Sequence, residues 1–259
     1  METRFFEVDA KMEELKQRHG RFINGSNWIV QDFYEKLDIS WIYHDNALEG
    51  VVLSYSELKA AIDKNIISDV TLIPMYEEIK NHKAAIEHIR TLAHRRKQPI
   101  TLDTLRRLYE ILSPEAVGKP SQYRKDNPLH RLYYHEIAPP DKIGQRMRKL
   151  VEWLDSDEFR DEHPVKRAAR THYRLLAIYP WTKNSGKVAR LLMNLLLLRD
   201  GYLPAVVHAI ERQRYYEVMR NENAGIVQLI VESLDNGIET ALKFFSEVEE
   251  ARRASRGAA

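Results

Sequence analysis

The run Leu191-Leu192-Met193-Asn194-Leu195-Leu196-Leu197-Leu198 is apolar around almost the whole circumference of a helix, and water is a poor neighbour on every side of it. The run is also far too short to span a bilayer, so it belongs at the centre of a folded domain. A buried central helix has to be wrapped by other elements, and the rest of the chain supplies helices with one apolar stripe each. Phe6 to His19 reads as a charged surface helix. A second segment opens at Asn27 and carries Trp28, Phe33, Leu37 and Trp41 near helical spacing towards Gly50. Ser56-Glu57 precedes a short helix through Leu58 and Ile62. A longer one starts near Pro74, with Ile79, Ala84, Ile86 and Ile89 as its stripe. Leu102 to Leu112 follows behind Thr101 and Asp103, and Ile143 to Leu154 is helical after Pro139-Pro140.

One stretch departs from this texture. Leu129 to Ile137 mixes aromatic and β-branched residues, Tyr133 and Tyr134 among them, and reads as a short hairpin. The expectation is an all-α domain with one short β-hairpin. It divides into an N-terminal helical region (1–70), a core (71–250) and a frayed tail (251–259).

Composition narrows function mainly by exclusion. The 259 residues include no cysteine, which removes disulfides, thiol catalysis and Cys-ligated metals. Lys and Arg number 40 against 38 Asp and Glu, so no net field draws the chain to nucleic acid or to an acidic membrane. The N-terminus shows charges without an apolar core, and the expected location is cytoplasmic. The ten histidines form no pattern with carboxylates that suits a metal; His163 with His172 and His130 with His135 were the pairs to weigh. Lys166, Arg167, Arg170 and Arg174 share a helix face that reads as solvated rather than as a nucleic-acid patch.

The chemistry-bearing region is Pro164 to Pro204. Val165, Ala168, Ala169, His172, Leu175, Leu176 and Tyr179 fall on one helical face, and Pro180 ends that helix. Trp181-Thr182-Lys183-Asn184-Ser185-Gly186 leads into the central helix. The N-terminus of that helix offers free backbone N–H groups and a positive dipole end, with Lys187 and Arg190 in its first turns. Read by itself the loop is either a phosphate site or a polar connection between two core helices.

The segment from His163-Pro164-Val165 to Tyr202-Leu203-Pro204 resembles the signature helix-loop-helix of Fic (Fido) domains, whose loop reads His-Pro-Phe-x-Asp/Glu-Gly-Asn-Gly-Arg-x-x-Arg. The matching stretch here is Tyr179-Pro180-Trp181-Thr182-Lys183-Asn184-Ser185-Gly186-Lys187-Val188-Ala189-Arg190. Ala189-Arg190-Leu191-Leu192-Met193-Asn194 and the following leucines, Asn81-His82, Gln122-Tyr123-Arg124 and Pro139-Pro140 are similar to the family's wording as well. The resemblance covers roughly residues 40 to 245. It implies a Fic-type helical bundle whose hairpin, Leu129 to Ile137, is the flap that pairs with a target protein by strand addition. It also implies ATP as donor and transfer of AMP to a protein hydroxyl.

Position by position, the resemblance implies altered chemistry. Tyr179 stands at the general base, where a phenol of pKa about 10 replaces an imidazole of about 6.5. Lys183 stands at the acidic ligand of Mg²⁺, which argues against that metal. Asn184 and Ser185 replace Gly and Asn of the anion-binding turn, Gly186 matches, Lys187 replaces the first Arg and Arg190 matches the second. Upstream, Asp45-Asn46-Ala47-Leu48-Glu49-Gly50 resembles the family's inhibitory motif Ser/Thr-x-x-x-Glu-Gly/Asn. Glu49 is thereby expected to pair with Arg190, and Gly50 to follow it at the helix end, although Asp45 departs from the hydroxyl residue. A C-capping glycine behind a surface glutamate is the other reading. The expected protein is a weak or inactive adenylyltransferase, a pseudoenzyme scaffold retaining a phosphate site. The alternative is an active transferase of AMP or another phosphate-bearing group. The expected partner is a target protein; nucleic acid and membrane are not expected, and a homodimer is compatible with the sequence.

Overall fold

The computed structural model describes residues 2–23, 27–62, 73–118, 123–128, 136–220 and 224–257. Among them the chain forms eleven α-helices: α1 (Glu2–Ile23), α2 (Asn27–Leu48), α3 (Tyr55–Ile62), α4 (Ile73–Ala93), α5 (Leu102–Leu112), α6 (Ile143–Leu154), α7 (Asp157–Asp161), α8 (Pro164–Ile178), α9 (Ser185–Arg199), α10 (Arg212–Val218) and α11 (Ala224–Gly257). The expected all-α fold is present. Most of the expected hairpin, 129–135, lies outside the described residues, and Glu136 and Ile137 are irregular chain.

The leucine run sets the layout. Every residue of α9 from Ser185 to Leu197 is buried, and α8, α4 and α5 pack around it. Asn194, the one polar residue inside the run, is satisfied by the chain beyond the helix. Its Nδ2 donates to the Ala205 carbonyl at 3.3 Å and its Oδ1 accepts from the Ala205 N–H at 2.8 Å. A buried amide would otherwise cost a few kcal/mol, so this pair fixes how the segment after α9 returns along it.

Two expectations need correction. The N-terminal helix is longer than Phe6 to His19 and is not simply a surface helix, because Phe5, Val8, Met12 and Leu15 are buried against α11. Ion pairs fix the direction of packing. Arg4 meets Glu232, Lys11 meets Asp235 and Glu239, and Arg18 reaches Ser246, so α1 and α11 run parallel. Trp28 was placed on the apolar stripe of α2, yet it is 65% exposed while Phe33 and Trp41 are buried. Trp28 is the second residue of α2, and its neighbours Ile29 and Val30 are buried, so its side chain lies on the face turned away from the core. The basic face of α8 is neutralised side chain by side chain: Arg167 binds Asp200, Arg170 binds Glu158 and Glu162, Lys166 binds Glu162, and Arg174 stacks on Trp153.

Candidate functional site

The loop joining α8 to α9 is held at both ends by residues forced into left-handed backbone. Tyr179 caps α8 at φ 50°, and Asn184 opens α9 at φ 61°. Such a conformation costs a non-glycine residue on the order of 1 kcal/mol, and tertiary contacts hold both. Pro180 cannot continue the helix. Arg124, itself buried, donates from Nε to the Tyr179 carbonyl at 2.7 Å and from Nη2 to the Ile178 and Ala138 carbonyls. Its remaining nitrogen reaches Asn127 Oδ1 at 2.6 Å, and its backbone N–H binds the Pro180 carbonyl at 2.9 Å. The Ile178 and Tyr179 carbonyls therefore find their donors on one guanidinium, while the Ala177 carbonyl accepts from the Ala138 N–H.

Further along, Trp181 stacks on Tyr109 with ring centroids 4.5 Å apart. Ser185 Oγ closes the turn from within, accepting from the Trp181 N–H at 2.8 Å and donating to its carbonyl at 2.6 Å. Asn184 Nδ2 reaches across to α5, to Ser113 Oγ at 2.9 Å and the Leu112 carbonyl at 3.3 Å. Lys183 is exposed at the tip of the loop.

At the start of α9 the first intrahelical bond runs from the Val188 N–H to the Asn184 carbonyl at 2.9 Å. The N–H groups of Ser185, Gly186 and Lys187 therefore have no acceptor within the helix, as at any helix start. The Glu49 carboxylate lies directly over this turn: a Cβ on residue 186 would stand 2.2 Å from Glu49 Oε1. Only glycine leaves that space, and here a carboxylate of the same chain takes it. Glu49 Oε1 also accepts from Arg190 Nη2 at 3.0 Å. Gly50, at φ 91°, ends α2 immediately afterwards, where the Leu48 carbonyl is bound by Arg212 and by the Tyr216 hydroxyl. The structure thus brings Glu49, Gly50, Gly186, Lys187 and Arg190 together.

It also brings in groups that the sequence reading had not assigned. Asp45, one turn before Glu49, accepts from Arg190 Nε at 2.6 Å with both side chains buried. The Tyr215 hydroxyl lies 3.2 Å from Arg190 Nη1 and 3.0 Å from His172 Nε2. Lys187 Nζ donates to Asn46 Oδ1 at 2.9 Å. His82 Nε2 stands 3.2 Å from Asp45 Oδ2, both fully enclosed. Asn46 and His82 were visible in sequence only as parts of wider motifs. Tyr215 carried no local signal at all.

The electrostatics follow from burial and pairing. Burial pushes the Asp45 carboxyl up, but Arg190, then His82 and Lys187, outweigh it and hold it down at about 2. Burial likewise opposes the charge of Arg190, which Asp45, Tyr215 and Glu49 keep firmly protonated. Burial lowers His82 and Lys187 in spite of Asp45 beside them. Two cations, Lys187 and Arg190, thus face two carboxylates, Asp45 and Glu49. The cations of this turn already stand beside carboxylates of the same chain, and Glu49 is the less buried of the two acids. Lys183 places a cation at the exposed tip of the loop, and among the described residues no group of three or more His, Asp and Glu side chains is arranged to hold a metal ion.

Residues 99–197 match the model of the Fic/DOC family. The chain is 26% identical over 250 residues to the protein adenylyltransferase Fic of Aedes aegypti, covering 94% of this chain and 48% of that protein. It is 28% identical over 191 residues to the protein adenylyltransferase Fic of Nematostella vectensis, covering 72% of this chain and 44% of that one. The chain therefore spans about half the length of the curated relatives it matches. A Fic domain containing signaling protein from Bacteroides thetaiotaomicron superposes with a TM-score of 0.79 at 23% identity, covering 94% of this chain and 98% of the other, and so shares the fold. The loop and the central helix as far as Leu197 fall inside the matched segment, so it is this part of the chain that is similar to a Fic/DOC domain.

Proposed function

We propose that this chain is a Fic-type adenylyl-transfer scaffold whose own transfer activity is weak or absent, and whose phosphate site is held closed by Glu49. The observation that carries this reading is the seating of the Glu49 carboxylate against Gly186 and Arg190, where a nucleotide phosphate would meet the start of α9. The loop supports it. Tyr179 supplies a buried phenol in place of a base, and Lys183 an exposed ammonium in place of an acid. Losing a general base costs about 10²–10⁴ in rate, and positive charge at the metal position opposes the second contribution. ATP is the nucleotide the site would take, with Gly186, Lys187 and Arg190 holding its phosphates once Glu49 withdraws. When bound, ATP would supply the AMP group to be transferred. The partner in this reading is a target protein at the flap, residues 129–137, and the location is the cytoplasm.

A second reading is favoured by the retained Gly186 and Arg190: an active transferase of AMP or another phosphate-bearing group by altered chemistry. Incorporation of labelled ATP into lysate proteins and into the chain itself separates the two. The unaltered protein is expected to give no labelling above background, and Tyr179→His or Lys183→Asp alone is expected to add none. Recovery is expected only when both are combined with Asn184→Gly, Ser185→Asn and Glu49→Gly. Robust Mg²⁺-dependent labelling by the unaltered protein establishes the second reading instead.

A further inference from the structure

At the opposite end of α9 from the loop lies a cleft of about 370 Å³ between the chain after α4, the region of α7, α8 and the last turn of α9. The fifteen residues of α9 put it about 20 Å from Gly186, outside the site described above. Cations dominate its walls. Arg160 is taken up by Asp155 and Asp157, and Arg167 by two 2.8 Å bonds to Asp200. That uses both carboxylates lining the cleft, Asp155 and Asp200, and leaves Arg96, Lys97 and Arg199 without an ion pair among the described residues.

Arg199 is the informative one. Its Nε is buried without a hydrogen-bond partner, and so is the Nε of Arg167 beside it. Burial depresses the Arg199 guanidinium, and Asp200 offsets this only in part. Half-burying a guanidinium with a donor unmet is costly unless an acceptor arrives. A basic residue in the last turn of a helix is common because it faces the negative end of the dipole. That role does not account for the unmet donor, because the terminal carbonyls of α9 already accept from the N–H groups of Asp200, Gly201 and Tyr202.

We infer that this cleft is an anion site for a small polyphosphate, a pyrophosphate or triphosphate group free or carried on a larger molecule, held by Arg199, Arg96 and Lys97. Three unneutralised cations match the charge of such a group better than that of a single phosphate, and guanidinium forks suit its oxygens. A concave cleft near the lower end of ligand-pocket sizes suits a small molecule rather than a nucleic-acid strand, which needs an extended track. The inference is independent of whether the loop transfers AMP.

The test is titration calorimetry of the full chain with sodium pyrophosphate and sodium tripolyphosphate, with orthophosphate as control, at low ionic strength. Saturable one-to-one binding is expected, about tenfold or more tighter for the polyphosphates than for orthophosphate. It is expected to weaken about tenfold or more in Arg199→Gln and in the exposed-loop double variant Arg96→Gln/Lys97→Gln, to be retained in Lys187→Ala, and to be partly kept by Arg199→Lys. The loop variant guards against a folding defect at Arg199, and thermal melts without ligand monitor it. No saturable binding overturns the inference. So does binding that survives Arg199→Gln and the loop variant but is lost in Lys187→Ala, which places the ligand at the start of α9. A single-stranded oligonucleotide that displaces pyrophosphate more strongly than tripolyphosphate does overturns it in favour of nucleic acid.

Discussion

Asp45 and Arg190, 145 positions apart in the chain, meet in the interior at 2.6 Å with almost no water on either side. Arg190 consequently answers to two acids four residues apart, Asp45 in the last turn of α2, almost fully buried, and Glu49 just past the end of that helix, less buried. Besides Glu49, Arg190 is held by Asp45 and by the Tyr215 hydroxyl.

Because the Asp45–Arg190 pair is buried, removing one partner strands the other. Asp45→Ala is expected to destabilise the fold by roughly 3 kcal/mol, and Asp45→Asn by less because one acceptor remains. The carboxyl is held at about 2 against 3.8 when free, and a depressed carboxylate stabilises the fold in its charged form. Its contribution, about 2 kcal/mol, is fully present above pH 3.8 and is lost as pH falls from there through about 2. Urea unfolding of wild type and Asp45→Asn across that range checks this: the gap between them should close towards the acid end.

Gly186→Ala drives a methyl into the Glu49 carboxylate, which Arg190 restrains from moving away. A destabilisation of about 1–3 kcal/mol is expected. In a Glu49→Ala background the same change should be neutral or slightly favourable, since alanine is the better helix residue by up to about 1 kcal/mol. A double-mutant cycle by chemical denaturation reads the coupling directly. Additive effects would mean that Glu49 does not sit on residue 186 in solution.

Asn184 offers a different contrast. Asn184→Gly relieves the left-handed backbone but loses the bonds to Ser113 and Leu112, and the two effects should leave stability within about 1 kcal/mol of wild type. Asn184→Ala loses the bonds and keeps the strain, at a cost of about 2 kcal/mol. Ser185→Asn forces a larger side chain into a fully buried niche and breaks the bridge to both polar groups of the Trp181 backbone. It should lower the melting temperature further than Asn184→Gly does. Loop repairs aimed at transfer should therefore be scored for folded fraction alongside labelling.

Arg124 gathers carbonyls from three separate stretches of chain, and no ammonium spans them. Arg124→Lys is accordingly expected to cost nearly as much as Arg124→Ala, about 3 kcal/mol or more. Hydrogen exchange should show the Ile178 to Lys183 amides losing protection first. Full protection in Arg124→Lys would show that the loop is held by its own packing instead.

Local sequence determined much of this protein. The all-round apolar run from Leu191 dictated a buried central helix, Pro180 marked the break before it, and the spacing along α8 named its buried face, because helical periodicity is a property of neighbours in the chain; that the central helix already starts at Ser185, behind Asn184, was not legible. Even the partnership of Glu49 with Arg190 was legible, through a resemblance of motifs. What local sequence left open was how the helices dock. Val8, Met12 and Leu15 carry the same spacing whether α1 lies on the surface or along α11, and Trp28 looked like core until the covering helices were in place. Asn46 beneath Lys187, Tyr215 beside Arg190 and Arg124 bound to the Tyr179 carbonyl under the loop are contacts whose partners nothing in the neighbouring sequence names, even where Asn46 and Arg124 sit in recognisable motifs. Only the assembled bundle removes water from these groups, and the cost of leaving a desolvated charge or carbonyl unpaired then selects its partner.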